Sequence, residues 1–299
     1  MAKLQLFVSL ILIALLALPV FAGNGETGTV GGAFLKLGNG VRAPAMGEAF
    51  TAVANDATTI AWNPAGIAQL NSREIAMTYN MWLQGASYSA MHFVQPILPG
   101  QALGISLFYL SYGDIMETTA TSRTGTGRAF SPSGAVVTIS YGVKIRQNLS
   151  LGVNLKSLNQ SIDTYAESGT AYDMGLLLKD FGGADIGIVV QNLGLVSGAS
   201  LPQTMKFGVA KYLLGDKFLV ALDLIAPKDN NNYLSIGGEY QINQFLAMRA
   251  GYNTKSEEGA GGNIGLGLGL SFSLLSVDYA YVPYGDLGSA HRVGLQFKL

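Results

Sequence analysis

The chain lacks cysteine, has only two histidines, and carries little charge. Absent Cys excludes disulfides, thiolate metal sites, a Cys nucleophile and a lipid-modified Cys at a processed N-terminus. The histidines, His92 and His291, fall in separate strand-like stretches with no carboxylate or nucleophile pattern beside them, so they read as lumen or interface residues. Charged residues make up 12% of the chain, against about 25% in soluble domains. A formal net charge of −1 and no polybasic cluster leave no footprint for nucleic acid. Beyond the N-terminus no run of ~18 uninterrupted apolar residues occurs, so no transmembrane helix is expected there. No catalytic set, metal site or cofactor motif is found, and no enzyme is expected. Gly265-x-Gly267-x-Gly269 sits inside a strand rather than between a strand and a helix, so it is not a phosphate loop. Asp229-Asn230-Asn231-Asn232 lacks the Gly and Glu spacing of a calcium loop and reads as a polar turn.

What is present is glycine (39 residues), tyrosine (14) and phenylalanine (13). At the start, Lys3 precedes an apolar run from Leu4 to Leu18, and Val20-Phe21-Ala22 offers small residues for a peptidase. Residues 1–22 therefore read as a signal peptide cleaved after Ala22. An exported chain without a spanning helix can enter a membrane only through strands closed on themselves.

Strand rhythm dominates from Arg73 to the end. Leu149, Leu151, Val153 and Leu155 alternate with Ser150, Gly152, Asn154 and Lys156; Ile264, Leu266, Leu268, Leu270 and Phe272 alternate with Gly and Ser. Such segments of about ten residues, one face wholly apolar, suit tilted membrane strands. Fourteen are counted, an even number as closed bacterial barrels require. Short connections at Arg146–Asn148, Asp180–Gly183, Leu213–Asp216, Gln241–Gln244 and Ser273–Leu274 alternate with longer ones. The longer set is Gly113–Ser133, Asp163–Gly169, Leu193–Gln203, Ile225–Asn232, Asn253–Asn263 and Pro283–Ser289. Short turns on one side and long loops on the other are the known asymmetry of outer-membrane barrels. Tyr212, Phe218, Tyr240 and Phe245 beside the short turns, with Tyr112, Tyr165, Tyr252 and Tyr284 beside the long ones, are placed as two interfacial girdles. Alternation predicts inward charges of both signs: Glu74, Lys144, Lys156, Asp173, Asp185, Lys206, Asp223, Glu239, Arg249, Asp278 and Arg292. These are expected to pair with one another and with Arg42, Glu48 and Asp56.

Val41 to Leu70 breaks the rhythm, being Ala-rich and helix-permissive. Asp56 is placed to N-cap a short turn over Ala57–Trp62. Asn63 before Pro64 ends that turn. Small residues here would let backbones pack closely inside a confined lumen, or in a cap on any β-domain. The expectation from the residues is an all-β protein: a closed antiparallel transmembrane β-barrel of about 14 strands, with a small N-terminal helical block that is either a plug in its lumen or a cap. The divisions are 1–22 signal peptide, 23–71 N-terminal block and 72–299 barrel.

Gly40–Leu70, with Asp56-Ala57 and Asn63-Pro64-Ala65-Gly66, resembles the N-terminal hatch of FadL-like outer-membrane barrels, in particular the PorV/PorQ-type family. The likeness continues at Leu201-Pro202-Gln203-Thr204, Arg249-Ala250-Gly251-Tyr252 and Val277-Asp278-Tyr279. Arg292, Gly294, Phe297 and Leu299 resemble the C-terminal signal read by the barrel assembly machinery, with Leu299 where an aromatic is usual. The resemblance implies a fourteen-stranded integral barrel in the outer membrane of a Gram-negative-type bacterium, with residues 23–71 as a small helical hatch, or plug, in its lumen. It would contact outer-membrane lipid and pass small hydrophobic, long-chain fatty-acid-like molecules without catalysis. The alternative it implies is a PorV-like component of type IX secretion that binds cargo or partner proteins.

Overall fold

The computed structural model describes residues 28, 30–255 and 263–299. The expected signal peptide at 1–22 lies outside them. Fourteen strands of eight or more residues form the wall: β1 Glu74–Met81, β2 Ser87–Leu98, β3 Gln101–Ser111, β4 Ser133–Arg146, β5 Leu149–Ile162, β6 Tyr165–Phe181 and β7 Ala184–Val196. Then come β8 Thr204–Leu213, β9 Phe218–Pro227, β10 Tyr233–Gln241, β11 Leu246–Asn253, β12 Ile264–Phe272, β13 Leu275–Pro283 and β14 Ser289–Lys298. Each pairs antiparallel with its neighbours in sequence. β14 then pairs with β1 from Glu74↔Lys298 to Met81↔His291, which closes the sheet and leaves it no edge. The fold is the expected closed antiparallel barrel.

The alternation explains which way each face points. On β12, Ile264, Leu266, Leu268 and Leu270 are exposed on the outside while Gly265, Gly267 and Gly269 are buried within. Met77, Ile105, Ile139, Val153, Met248 and Val293 continue the outward apolar surface on other strands. A band of exposed Leu, Ile and Met around a closed wall has water as a poor solvent, and is what a barrel presents to lipid. No described helix is long and apolar enough to cross a membrane; that leaves strand crossing open.

Two expectations need correction. Asp163–Gly169 is not a long loop: β5 and β6 run on as a hairpin past the wall, and only residues 163–164 turn. Asp163 takes the left-handed φ of 56° that lets so short a turn close. Tyr212 is not part of a girdle either. It lies on the inward face of β8, where Asn55 donates its Nδ2 to the Tyr212 hydroxyl at 3.1 Å.

Residues 31–73 do not join the sheet. They hold one short α-helix, Arg42–Ala45, and three-residue-per-turn helices at Ala33–Lys36, Ala57–Ala61 and Pro64–Gln69. Almost every residue from Val41 to Ala68 is buried, packed against the inward faces of the strands.

Candidate functional site: the lumen and its inner segment

The inner segment enters at the long-loop rim and leaves at the short-turn rim. Gly31 donates its N–H to the Ser200 carbonyl at 3.0 Å beyond β7, and Lys36 pairs with Asp229 in the β9–β10 connection. Lower down, Phe50 and Thr51 donate their backbone N–H groups to Asp223 Oδ2 at 3.0 and 2.9 Å. The Ala57 N–H reaches Glu74 Oε2 at 3.1 Å, after which Gln69 donates to Ser150 Oγ at 2.6 Å. The chain then turns into β1.

Inward glycines admit the segment. A Cβ at Gly251 would fall 2.0 Å from the Met46 carbonyl carbon, one at Gly152 2.2 Å from the Pro64 carbonyl carbon, and one at Gly187 2.2 Å from the Thr51 carbonyl oxygen. At these positions backbone lies directly on backbone, which only a missing side chain permits.

Asp56 accepts from the Thr58 N–H at 2.9 Å, so it caps the Ala57–Ala61 turn as expected. Asn63 does more than end that turn. It caps a second one, with Pro64 in its first position and Oδ1 accepting from the Ala65 N–H at 3.1 Å. Its Nδ2 donates to the Thr51 and Leu176 carbonyls at 2.8 and 3.1 Å. Ala57 and Ala65 are fully buried, and Gly66 passes so close to Ala54 that a Cβ would sit 2.3 Å from its carbonyl oxygen.

The inward charges pair much as expected. Arg42 makes a two-pronged contact with Glu239, Nε to Oε2 at 2.6 Å and Nη2 to Oε1 at 2.7 Å, and its Nη1 reaches Asn55 and Asp56. Arg249 bridges Glu239 and Asp278, and Lys156 pairs with Asp173 at 2.7 Å. Asp173 also accepts the Asn192 N–H freed by a bulge between β6 and β7. Arg42→Met should lower thermal stability by about 1–2 kcal/mol. Arg249 still faces Glu239, whereas a fully orphaned buried charge costs ~3–5 kcal/mol. Loss of gel mobility on heating would measure it; an unshifted midpoint would show the contact to be idle.

Three spaces border the inner segment. An outer cleft of about 240 Å³ lies under the connection 112–132, lined by Phe34, Tyr112, Ile115, Pro132, Gln160 and Ile162. Within that connection Arg128 pairs with Glu117 and Asp163, and hydrogen bonds from Thr126 and Arg128 hold the Glu117 carboxyl below its ordinary range. An inner cavity of about 100 Å³ has Phe34, Leu37, Phe108, Val136 and Trp62 on its walls, with Lys36, Lys156 and Lys206 among its polar groups. A polar vestibule of about 300 Å³ opens at the short-turn rim beside Arg42, Asp56, Glu239 and Lys298. Phe34 borders both upper spaces and stacks on Phe108 at 6.2 Å between ring centres. Phe34-Leu35-Lys36-Leu37 is an apolar cluster just ahead of the block that breaks the strand rhythm, and its local pattern does not mark Phe34 as a residue of the site. His92 lies inward on β2, fully buried, and His291 takes a 2.7 Å contact from Tyr279 on the outer face. Among the described residues no group of three or more His, Cys, Asp or Glu is placed to hold a metal.

The model of an uncharacterised protein family, UPF0164, matches residues 25–191. The chain belongs to that family. A curated UPF0164 protein from Treponema pallidum (strain Nichols) is 29% identical over 167 residues, 52% of this chain and 42% of that protein, so the match spans under half of the relative's length. Among solved structures, the toluene transporter TbuX of Ralstonia pickettii superposes with a TM-score of 0.62 at 15% identity, covering 88% of this chain and 98% of that one. The toluene transporter TodX of Pseudomonas putida gives 0.62 at 14%, covering 87% and 97%. A Pseudomonas aeruginosa FadL homologue gives 0.56 at 15%, covering 93% and 98%. At such identities the likeness is one of fold. It agrees with the barrel fold that the FadL-like resemblance implies, and the family model that matches is UPF0164.

Proposed function

We propose that this UPF0164 barrel sits in the outer membrane and passes small hydrophobic molecules inward, with residues 23–71 as a hatch that shifts to let them by. The observation that carries this is the position of Phe34, a single side chain between an apolar cleft under the external loops and a cavity inside the lumen. A molecule lodged in the cleft gains the cavity by turning or displacing that ring. The cavity, at about 100 Å³, is smaller than the ~300–1,000 Å³ of ordinary ligand sites, so passage needs the segment to move. Two of the fold neighbours, TbuX and TodX, are toluene transporters, which supports a hydrophobic cargo. Lys36 and Lys156 at the cavity are paired with Asp229 and Asp173, whereas Lys206 lies over the Trp62 ring with no ion pair among the described residues. Lys206 favours a long-chain acid, whose carboxylate it holds while the tail meets Phe34, Phe108 and Val136.

Purified protein in liposomes should bind and pass a fluorescent long-chain fatty acid, with toluene as the neutral comparison. Phe34→Ala joins the two spaces and should speed entry several-fold, the scale of removing ~1 kcal/mol of barrier. Failure to bind or pass any apolar compound would sink the proposal; passage of toluene but not of the acid would remove only the carboxylate part.

A further inference from the structure

The wall closes where its first and last strands meet, and the inner segment grips both sides of that seam. The Gly38 carbonyl accepts from Arg292 Nη1 on β14 at 2.9 Å and from the Tyr88 hydroxyl on β2 at 2.5 Å, so one carbonyl straddles β1. Towards the other rim, Glu74 Oε2 on β1 accepts from the Ala57 N–H at 3.1 Å and from Gln296 Nε2 on β14 at 2.9 Å. Between these heights Val41 fills the space at Gly294, where a Cβ would come within 2.7 Å of Val41 Cγ2.

We propose that the inner segment is a template for barrel closure: joined covalently to β1, it forms with β1 a composite surface into which β14 docks. Before closure, β1 and β14 each present a row of unpaired backbone groups that can find wrong partners. Correct pairing must also bring together residues more than two hundred positions apart, at an entropic cost that grows with the loop. Alternation fixes which face of β14 is inward but not a slip by two residues, which keeps Val293 and Leu295 outside; the fit of Arg292 and Gly294 against the segment resists that slip. The segment supplies what β14 lacks, a carbonyl for Arg292 and an apolar knob for Gly294. Two residues that resemble an external assembly signal thus also have a destination inside the molecule.

The absence of cysteine makes closure directly readable. Tyr79 and Val293 are register partners across the seam and both are exposed on the outer face. The double variant Tyr79→Cys/Val293→Cys forms a disulfide only once β1 and β14 pair. Leu107→Cys/Val137→Cys does the same for β3 and β4, away from the seam. Protein diluted from urea into micelles is oxidised at intervals and the crosslinked fraction counted. Adding Gly294→Leu, a better strand former than glycine, should slow the seam crosslink about tenfold by meeting Val41, and leave the β3–β4 crosslink within about twofold. Val41→Gly in the same chain should restore the seam rate, and Arg292→Met should slow the seam alone. The template is overturned if Gly294→Leu closes at the parent rate, if both crosslinks slow or vanish together, or if Val41→Gly gives no rescue.

Discussion

Gly251→Val should drive the inner segment off the wall and make the barrel leak. Gly251 faces Met46 and Gly47 so closely that a Cβ would lie 2.0 Å from the Met46 carbonyl carbon and 2.1 Å from the Gly47 nitrogen. Those are backbone atoms and cannot swing aside as a side-chain tip can. Gly47 is equally constrained: its φ is +62°, and a Cβ there would meet the Tyr252 nitrogen at 2.5 Å. The wall is the stiffer partner, because Gly251 is held in register with Gly237 on one side and Gly265 on the other. The segment's backbone bonds at this point run within itself, from the Met46 N–H to the Arg42 and Ala43 carbonyls and from the Gly47 N–H to the Pro44 carbonyl, so it can shift as a unit and is the part that gives way. Overpacking costs about 1–3 kcal/mol in ordinary cores, and backbone-on-backbone contact puts this case near ~3 kcal/mol. In planar bilayers the variant should show steady conductance well above the parent's, and protease should cut within 31–73 from the short-turn side. Gly251→Ala should show a weaker form of both. A Gly251→Val barrel as tight as the parent would mean that the segment does not close the lumen at this level.

Much of this architecture was legible because membrane strands obey one rule, apolar outside and small or polar inside. β5 and β12 coincide with their expected bounds from Leu149 to Ile162 and from Ile264 to Phe272, since there the rule is clean. β2 and β3 alternate poorly in sequence for a reason the fold makes plain. Their inward side chains include Tyr88, Ala90, Phe108 and Leu110, which pack with Phe34 of the segment, so both faces are apolar. The inward charges were readable by parity, yet their partners were not. Arg42 and Glu239 stand 197 positions apart, and no local pattern encodes a contact made by folding a segment back through a ring. Tyr212 was misplaced by the same blindness, since an aromatic near a turn looks alike whether it meets lipid or Asn55. The block from Val41 was visible because it broke the strand rhythm. Phe34 was missed because its neighbours are apolar and short enough to pass as a linker.

Asn63 carries the second large effect, and its amide is the reason. The side chain is fully buried and makes three contacts. Oδ1 accepts from the Ala65 N–H, while Nδ2 donates both to Thr51, within the segment, and to Leu176, on β6. One amide therefore caps a turn, ties two stretches of the segment together and anchors them to the wall. The site admits little else, as a Cβ at Gly175 would come within 2.1 Å of Asn63 Oδ1. Asn63→Ala removes the cap, worth about 1 kcal/mol, and leaves two buried carbonyls short of a donor at roughly 1–3 kcal/mol each. Some relaxation towards water in the lumen reduces that sum, so a net loss of about 3 kcal/mol is expected. Asn63→Asp separates the roles. It has nearly the same shape and keeps the capping oxygen, but replaces the donating nitrogen with an oxygen pointed at two carbonyl oxygens. Were capping the main role, Asp would be the milder change, since it caps as well as Asn. If the donations to Thr51 and Leu176 hold the segment, Asp is the more damaging, and thermal midpoints should run parent, then Asn63→Ala, then Asn63→Asp. Conductance should rise in the same order, because the stretch released is the one that passes closest to β5 and β6. An Asp variant as stable as the parent would reduce Asn63 to a helix cap and take the anchor away from the Asn-Pro-Ala-Gly run.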